Sequence, residues 1–577
     1  MPILETTDQD HILVYVAACD VKLSTSDRDR QTIAENKVKS ISPETQRLIA
    51  DLNQPRGFVK TLTTSRIHVS LLISIGNSKE PAAIIEILPL VLSKKRDVAE
   101  AATSAVHKLV RETTGEELAW LDYALRQRSP YSGNSCYEWH KISPQDLVSF
   151  ERFNASSVSL LGMASFHQNG YVREAAINRL NMISGGAELR FLLLRLNDWV
   201  SNVRDAAYDA VRSRLRPEYG AAFVASLPLV ARLERAGRAD HAALIQAINE
   251  LLQSDECRPA LLESLNADNR FIRRASFRLL LDSTGSDLPG IVRQALATKD
   301  TVIRLTAAQR VGSLFSGHTL EQFLALMSRD RYMPVRREAL RNYVRRAEQA
   351  KSQLLTALID PHTSMRDEAR YHLRTIATID FAAFYRRSLL TGRENDLYAA
   401  VSGLGETGSG TDDGLILPYA SHGTAKIRKA AIKALAKLNG RAHLDVFLHS
   451  LKDEVPSVSS QALNALSDKS SLVTGERIWE IFHSAVTPHV KRNALSLLQR
   501  LSKWESICYL INAIRDANEE VADMSRFAIG RWLVRFNRSF VRPTGQQISR
   551  LVMALEESGD LLNEKTKEQI RFSIKSF

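Results

Sequence analysis

The sequence predicts an all-α solenoid of stacked helical hairpins, and three observations carry that prediction. One segment recurs along the chain, its copies are evenly spaced, and each copy has the apolar spacing of a helix with one buried face. The segment NGYVREAAINRL places Val172 before Arg173, Ala175 and Ala176. It returns at Val203 (SNVRDAAYDAV), Ile272 (RFIRRASFRLL), Ile303 (TVIRLTAAQRV), Val335 (MPVRREALRNY), Met365 (TSMRDEARYHL) and Ile427 (AKIRKAAIKAL). Weaker copies follow at Val458, Val490 and Val521. The steps are 31 from Val172 to Val203, then 31, 32 and 30 from Ile272 to Met365, and 31, 32 and 31 from Ile427 to Val521. The gaps of 69 after Val203 and 62 after Met365 are each close to two periods, with degenerate units around AGRADHAALIQAINELL and ENDLYAAVSGL.

Each unit has two helical stretches. In FLALMSRDRYMPVRREALRNYVRR an apolar helix ends near Met327, a polar turn follows, and a second helix starts near Pro334, where proline presets φ and costs no hydrogen bond. In the second helix an apolar anchor is followed by small residues at +3 or +4 and apolar ones at +7 or +8, all on one face. One such hairpin cannot cover its own apolar face, whereas a stack can.

Residues 1–60 carry nine acidic and eight basic side chains and no clear copy of the repeat, which predicts an N-terminal cap or small subdomain. The first units are expected over 61–125, with Val98 fitting the pattern 74 residues before Val172. A loop insertion is expected over 126–150, because RQRSPYSGNSCYEWHKISPQD is rich in Ser, Pro and Gly. The main solenoid should span 151–540 and a helical C-terminal cap 541–577.

The V-R-x-A-A unit at about 31 residues resembles the short HEAT-like repeats of the phycobilin-lyase type, over roughly residues 80 to 530. The resemblance implies a HEAT-like α-solenoid, in which the second helices line the concave surface. It leaves function open, since such repeats serve scaffolds, adaptors, cofactor-handling lyases and nucleic-acid enzymes.

Composition narrows the class further. At 577 residues, 44% hydrophobic and 25% charged, the chain is neither disordered nor membrane-spanning, and its acidic start is unlike a signal peptide. Four scattered cysteines, Cys19, Cys136, Cys257 and Cys508, point to reduced thiols in a cytoplasmic protein. The lack of low-complexity tails suggests a bacterial origin.

Catalytic motifs find little support. Gly405–Gly410 matches the start of a phosphate-binding loop, but Thr411 and Asp412 stand where Lys and Ser or Thr are needed, so an inter-unit turn is expected. None of the 14 histidines is followed by Glu, which excludes the His-Glu iron site of HEAT-repeat deoxyhypusine hydroxylases. Cys136, Glu138 and His140 lie together but lack a further ligand, and a surface loop is the favoured reading. No GxSxG occurs, and the tryptophans, among them Trp199 and Trp504, miss the inward positions a glycosylase would use. No cofactor or metal is expected.

Charge is the informative feature. The chain has a net charge of +12, and residues 271–350 hold 14 Arg or Lys against 7 Asp or Glu. The Arg that recurs directly after the anchor in almost every unit (Arg173, Arg204, Arg273, Arg304, Arg336, Arg366, Arg428) is expected to be structural, pairing with an Asp in a nearby turn or covering a helix C-terminus. Positions +2, +6 and +10 form an i, i+4 column beside the buried stripe. It reads Glu174 with Asn178 and Asp205 with Asp209 in the early units. Later it reads Arg274 and Arg278, then Arg337, Arg341 and Arg345, then Lys429, Lys433 and Lys437. These eight basic residues are the candidate partner-binding site. The expected function is a non-enzymatic scaffold or adaptor holding a protein partner with an acidic surface on a basic concave face. The alternative is DNA or RNA held by phosphate contacts. A second alternative is a glycosylase- or lyase-like enzyme with a distributed site.

Overall fold

The computed structural model describes residues 41–54, 61–128, 136–283, 285, 287–346 and 350–575. It is a HEAT-like, all-α array of helical hairpins, and no strand occurs among the described residues. The chain divides into two compact units, Met1–Arg310 and Val311–Phe577.

In the first unit, Ser157–Ala164 packs on Gly170–Asn181 and Leu189–Arg195 on Ser201–Arg212, and the two second helices of these hairpins pack on each other. In the second unit the same order runs through Glu394–Thr407, Ala425–Asn439, Pro456–Ser467, Pro488–Leu498 and Glu519–Arg535, successive second helices in contact. Each of the last three also packs on its own first helix, Leu444–Leu451, Gly475–Ser484 and Lys503–Ala513 respectively.

The packing follows from the repeat. The anchors Val98, Val172, Val203, Ile303, Val335, Met365, Ile427, Val458, Val490 and Val521 are all buried. Each such side chain contributes about 1.5–3 kcal/mol by leaving water. Ile272 departs from the pattern and is only half-buried, its helix relying on Phe277, Leu280 and Leu281. Four residues after the anchor stands a buried Ala or Ser: Ala176, Ala207, Ser276, Ala307, Ala339, Ala369, Ala431, Ala462, Ala494 and Ser525. A larger side chain there would hold neighbouring helices apart. The serines also bond inside the stack, Ser276 Oγ lying 2.6 Å from Ser264 Oγ and Ser525 Oγ donating to Leu510 O at 2.6 Å.

The degenerate units solve the same problem differently. Leu397 and Val401 supply the stripe of Glu394–Thr407, and Gly405 then lies against the next helix. A Cβ on Gly405 would sit 2.4 Å from Ala434 Cβ, so glycine serves close helix approach there. The phosphate-loop lookalike is therefore a helix end and a turn. Ser409 and Asp412 form a capping box, and the Asp412 carboxylate accepts from Ser409 N at 2.8 Å.

The terminal and inserted segments differ in kind. Of the expected cap, residues 1–40 and 55–60 lie outside the described residues, and Pro43–Asn53 is a helix. In the expected loop, residues 129–135 lie outside the described residues, but 136–151 is packed structure with helices Cys136–His140 and Val148–Glu151. Trp139, Ile142, Leu147 and Phe150 bury themselves there, and their apolar contacts outweigh the turn-forming Ser and Pro between them. The C-terminal segment forms two helices, Gly545–Glu557 and Glu564–Ile574.

Candidate functional site

The recurring Arg after the anchor is a structural clamp. In Arg336, Nη1 donates to Asp330 O at 2.8 Å, covering the end of the preceding helix, while Nε and Nη2 grip Asp360 at 2.7 and 2.8 Å. Arg428 does the same with His422 O and with Asp453. Arg173 repeats it with His167 O and Asp198, and Lys491 reaches Asp516 at 2.6 Å. The Asp stands five residues before the next anchor and accepts the backbone N–H two residues on, as Asp360 does from His362 and Asp453 from Val455. This turn shape is typical of Asp. Where the Asp is gripped, the clamp ties one unit's second helix to the next unit's turn; Arg204 and Arg273 cover the preceding carbonyls, and Arg366 grips Glu406. Burial alone would raise the Asp198 and Asp453 carboxyls, but the arginine and backbone hydrogen bonds outweigh it and hold both below the usual range.

The eight predicted binding residues separate into two groups. Arg274 grips Asp300 at 2.8 and 3.1 Å, and Arg337 and Arg341 share Glu368 at 2.7 and 2.9 Å. These three are partly buried and bridge to the next hairpin. Arg278 lies 3.9 Å from Glu234, at an open cleft of about 820 Å³ that also presents Asp240, Glu250 and Asp282, an acid-rich setting. By contrast, Arg345, Lys429 and Lys433 are exposed and make no ion pair or side-chain hydrogen bond among the described residues. Lys437 is also exposed and reaches only Glu406 O, at 3.4 Å. The Ala425–Asn439 helix therefore carries Lys429, Lys433 and Lys437 in one column with no acid of its own.

The insertion holds a different arrangement. His167 is buried, with Nε2 at 3.0 Å from Trp139 O and Nδ1 accepting from Asn169 N at 3.0 Å. Burial pushes its pKa down to about 4, and the neutral ring is a packing element. Glu138 is exposed, the His140 ring stands 6.4 Å from that of His167, and the Cys136 side chain lies outside the described residues. No group of three or more His, Cys, Asp and Glu among the described residues is arranged to hold a metal ion. No helix among them is long and apolar enough to cross a membrane.

A second exposed basic surface escaped the sequence reading. Residues 524–555 contain six arginines and no Asp, Glu or Lys. Extending the +2, +6, +10 column to the Val521 unit gives Asp523, Phe527 and Arg531, which places an exposed aromatic at +6, as Tyr371 does in the Met365 unit.

No protein-family model matches the chain, and no curated protein does. Among solved structures, importin beta in a polyethylene glycol condition is similar at 12% identity and a TM-score of 0.30, over 94% of this chain and 83% of that one. A condensin Cnd3-Cnd2 subcomplex from S. pombe gives 12% and 0.30, over 94% and 86%. Yeast importin-beta (Kap95p) gives 13% and 0.26, over 96% and 97%. At such scores the fold rests on this chain's own helix pairing, repeat period and clamps.

Proposed function

We propose that the chain is a non-enzymatic HEAT-like scaffold that holds a protein partner with an acidic surface, and that Lys429, Lys433 and Lys437 anchor it. One observation carries this reading: three lysines at i, i+4 and i+8 stand exposed on a helix with no acid to offset them. Like charges at this spacing destabilise a helix by about 0.2–0.5 kcal/mol per pair, a cost that a partner's carboxylates would remove. Arg345 extends the same kind of surface. Arg274, Arg278, Arg337 and Arg341 occupy the same repeat positions, but their ion pairs with Asp300, Glu234 and Glu368 already engage them within the array.

The test compares affinity capture by the wild-type chain and by K429E/K433E/K437E, with quantitative identification of the retained proteins. The expected result is an acidic protein held by the wild type at low salt, released as salt rises, and absent from the variant. Identical capture by both chains at equal thermal stability would overturn the assignment.

A further inference from the structure

We propose that the Phe527–Arg542 surface of the second unit binds single-stranded nucleic acid, at a site separate from the lysine column. On the helix Glu519–Arg535, Phe527, Arg531 and Arg535 stand at i, i+4 and i+8, with Gly530 and Val534 beside them on the same face. Phe527 is 69% and Val534 82% exposed. The chain then turns through Arg538, Phe540 and Arg542, with Phe540 92% exposed.

This display is held in place from beneath. Lys503 Nζ donates to Phe536 O at 2.8 Å and to Ser539 O at 2.9 Å, and Trp504 Nε1 donates to Val541 O at 2.6 Å. Trp504, Trp532 and Phe536 pack edge-on against one another below it. Three carbonyls of the segment are thus turned inward, and an extended stretch with little secondary structure is fixed so that Phe540 faces solvent between two arginines.

The charges are uncommitted. Arg531, Arg535, Arg538 and Arg542 are exposed and make no ion pair or side-chain hydrogen bond among the described residues. The acids that precede them on the same helix are already engaged, Glu519 and Asp523 by Arg526 and Glu520 by Arg492. Phosphates suit the planar guanidinium fork, and bases suit an exposed ring, a combination that tolerates any sequence. An anionic membrane is the competing partner. An interfacial helix, however, segregates its apolar and charged faces, whereas here phenylalanine and arginine share one column.

The test titrates the full chain with labelled oligothymidylate of about 20 nucleotides, with duplex DNA of equal length, and with vesicles containing phosphatidylserine, across about 50 to 200 mM salt. Preferential binding of the single strand is expected. F527A and F540A should each weaken it about tenfold while leaving duplex binding alone. Replacing the four arginines by Ala should lower the slope of log affinity against log salt by roughly 3. Melting curves of these surface variants should match the wild type. K429E/K433E/K437E should bind the oligonucleotide as wild type does, so a failure here is separable from a failure at the lysines. Equal affinity for duplex and single strand with neutral Phe variants, loss in the lysine variant, or binding to vesicles but not to oligonucleotide would each overturn the proposal.

Discussion

At the scale of single residues, the most consequential side chain is Asp198. It is fully buried and accepts from three arginines, Arg126, Arg173 and Arg195, at 2.7–3.0 Å. Asp198→Asn would leave Arg173 without its carboxylate and Arg126 and Arg195 with Asp122 alone, and breaking such a buried pair costs about 3–5 kcal/mol. Urea titration should register that loss, whereas a decrease below about 1 kcal/mol would show the network to be dispensable. His167 gives a pH signature. Its folded pKa of about 4 lies below the unfolded value near 6.5, so the unfolded chain binds the extra proton between those limits. Stability should therefore fall as pH drops from about 6.5 to about 4, by up to about 3 kcal/mol from this group. His167→Gln should be less stable at neutral pH and show a shallower decline over that window, read by thermal melts at several pH values.

At the scale of elements, stability resides in the contacts between hairpins. Arg336→Ala removes one clamp, exposes the orphaned Asp360 carboxylate to repacking and should cost about 2–3 kcal/mol, less than Asp198→Asn because both partners retain some solvent. Arg345→Ala, on an exposed side chain, should stay within about 0.5 kcal/mol and serves as the control. Gly405→Ala forces a methyl into Ala434 and should cost about 1–3 kcal/mol, with any smaller effect showing that the two helices can slide apart. The structural duty of the recurring Arg was legible in the sequence because a residue repeated beside seven anchors must answer a need common to those units. The pairing of Arg337 and Arg341 was not legible. Their counter-charge, Glu368, lies in the next hairpin, and a column drawn on one helix carries no information about the helix beside it.

At the scale of the whole molecule, the period and the anchors made the fold class readable, since stacked hairpins repeat the same burial problem every 30 to 32 residues. The packed insertion was hidden because four apolar residues among Ser, Pro and Gly show no periodicity, and the Arg-Phe surface because the Val521 copy lacks the Arg after its anchor and opens its column with Asp523. The division into Met1–Arg310 and Val311–Phe577 leads to a prediction about cooperativity. In repeat arrays stability is a sum of local and nearest-neighbour terms, so a chain with two compact units should not melt as one block. Calorimetry should give a calorimetric enthalpy above the van't Hoff value. Asp198→Asn, in the first unit, should lower only one component, by roughly 10 °C at about 3 °C per kcal/mol, and Arg336→Ala, in the second, should lower only the other. If both substitutions shift one common transition, the two units unfold together, and local damage anywhere along the array is felt throughout the chain.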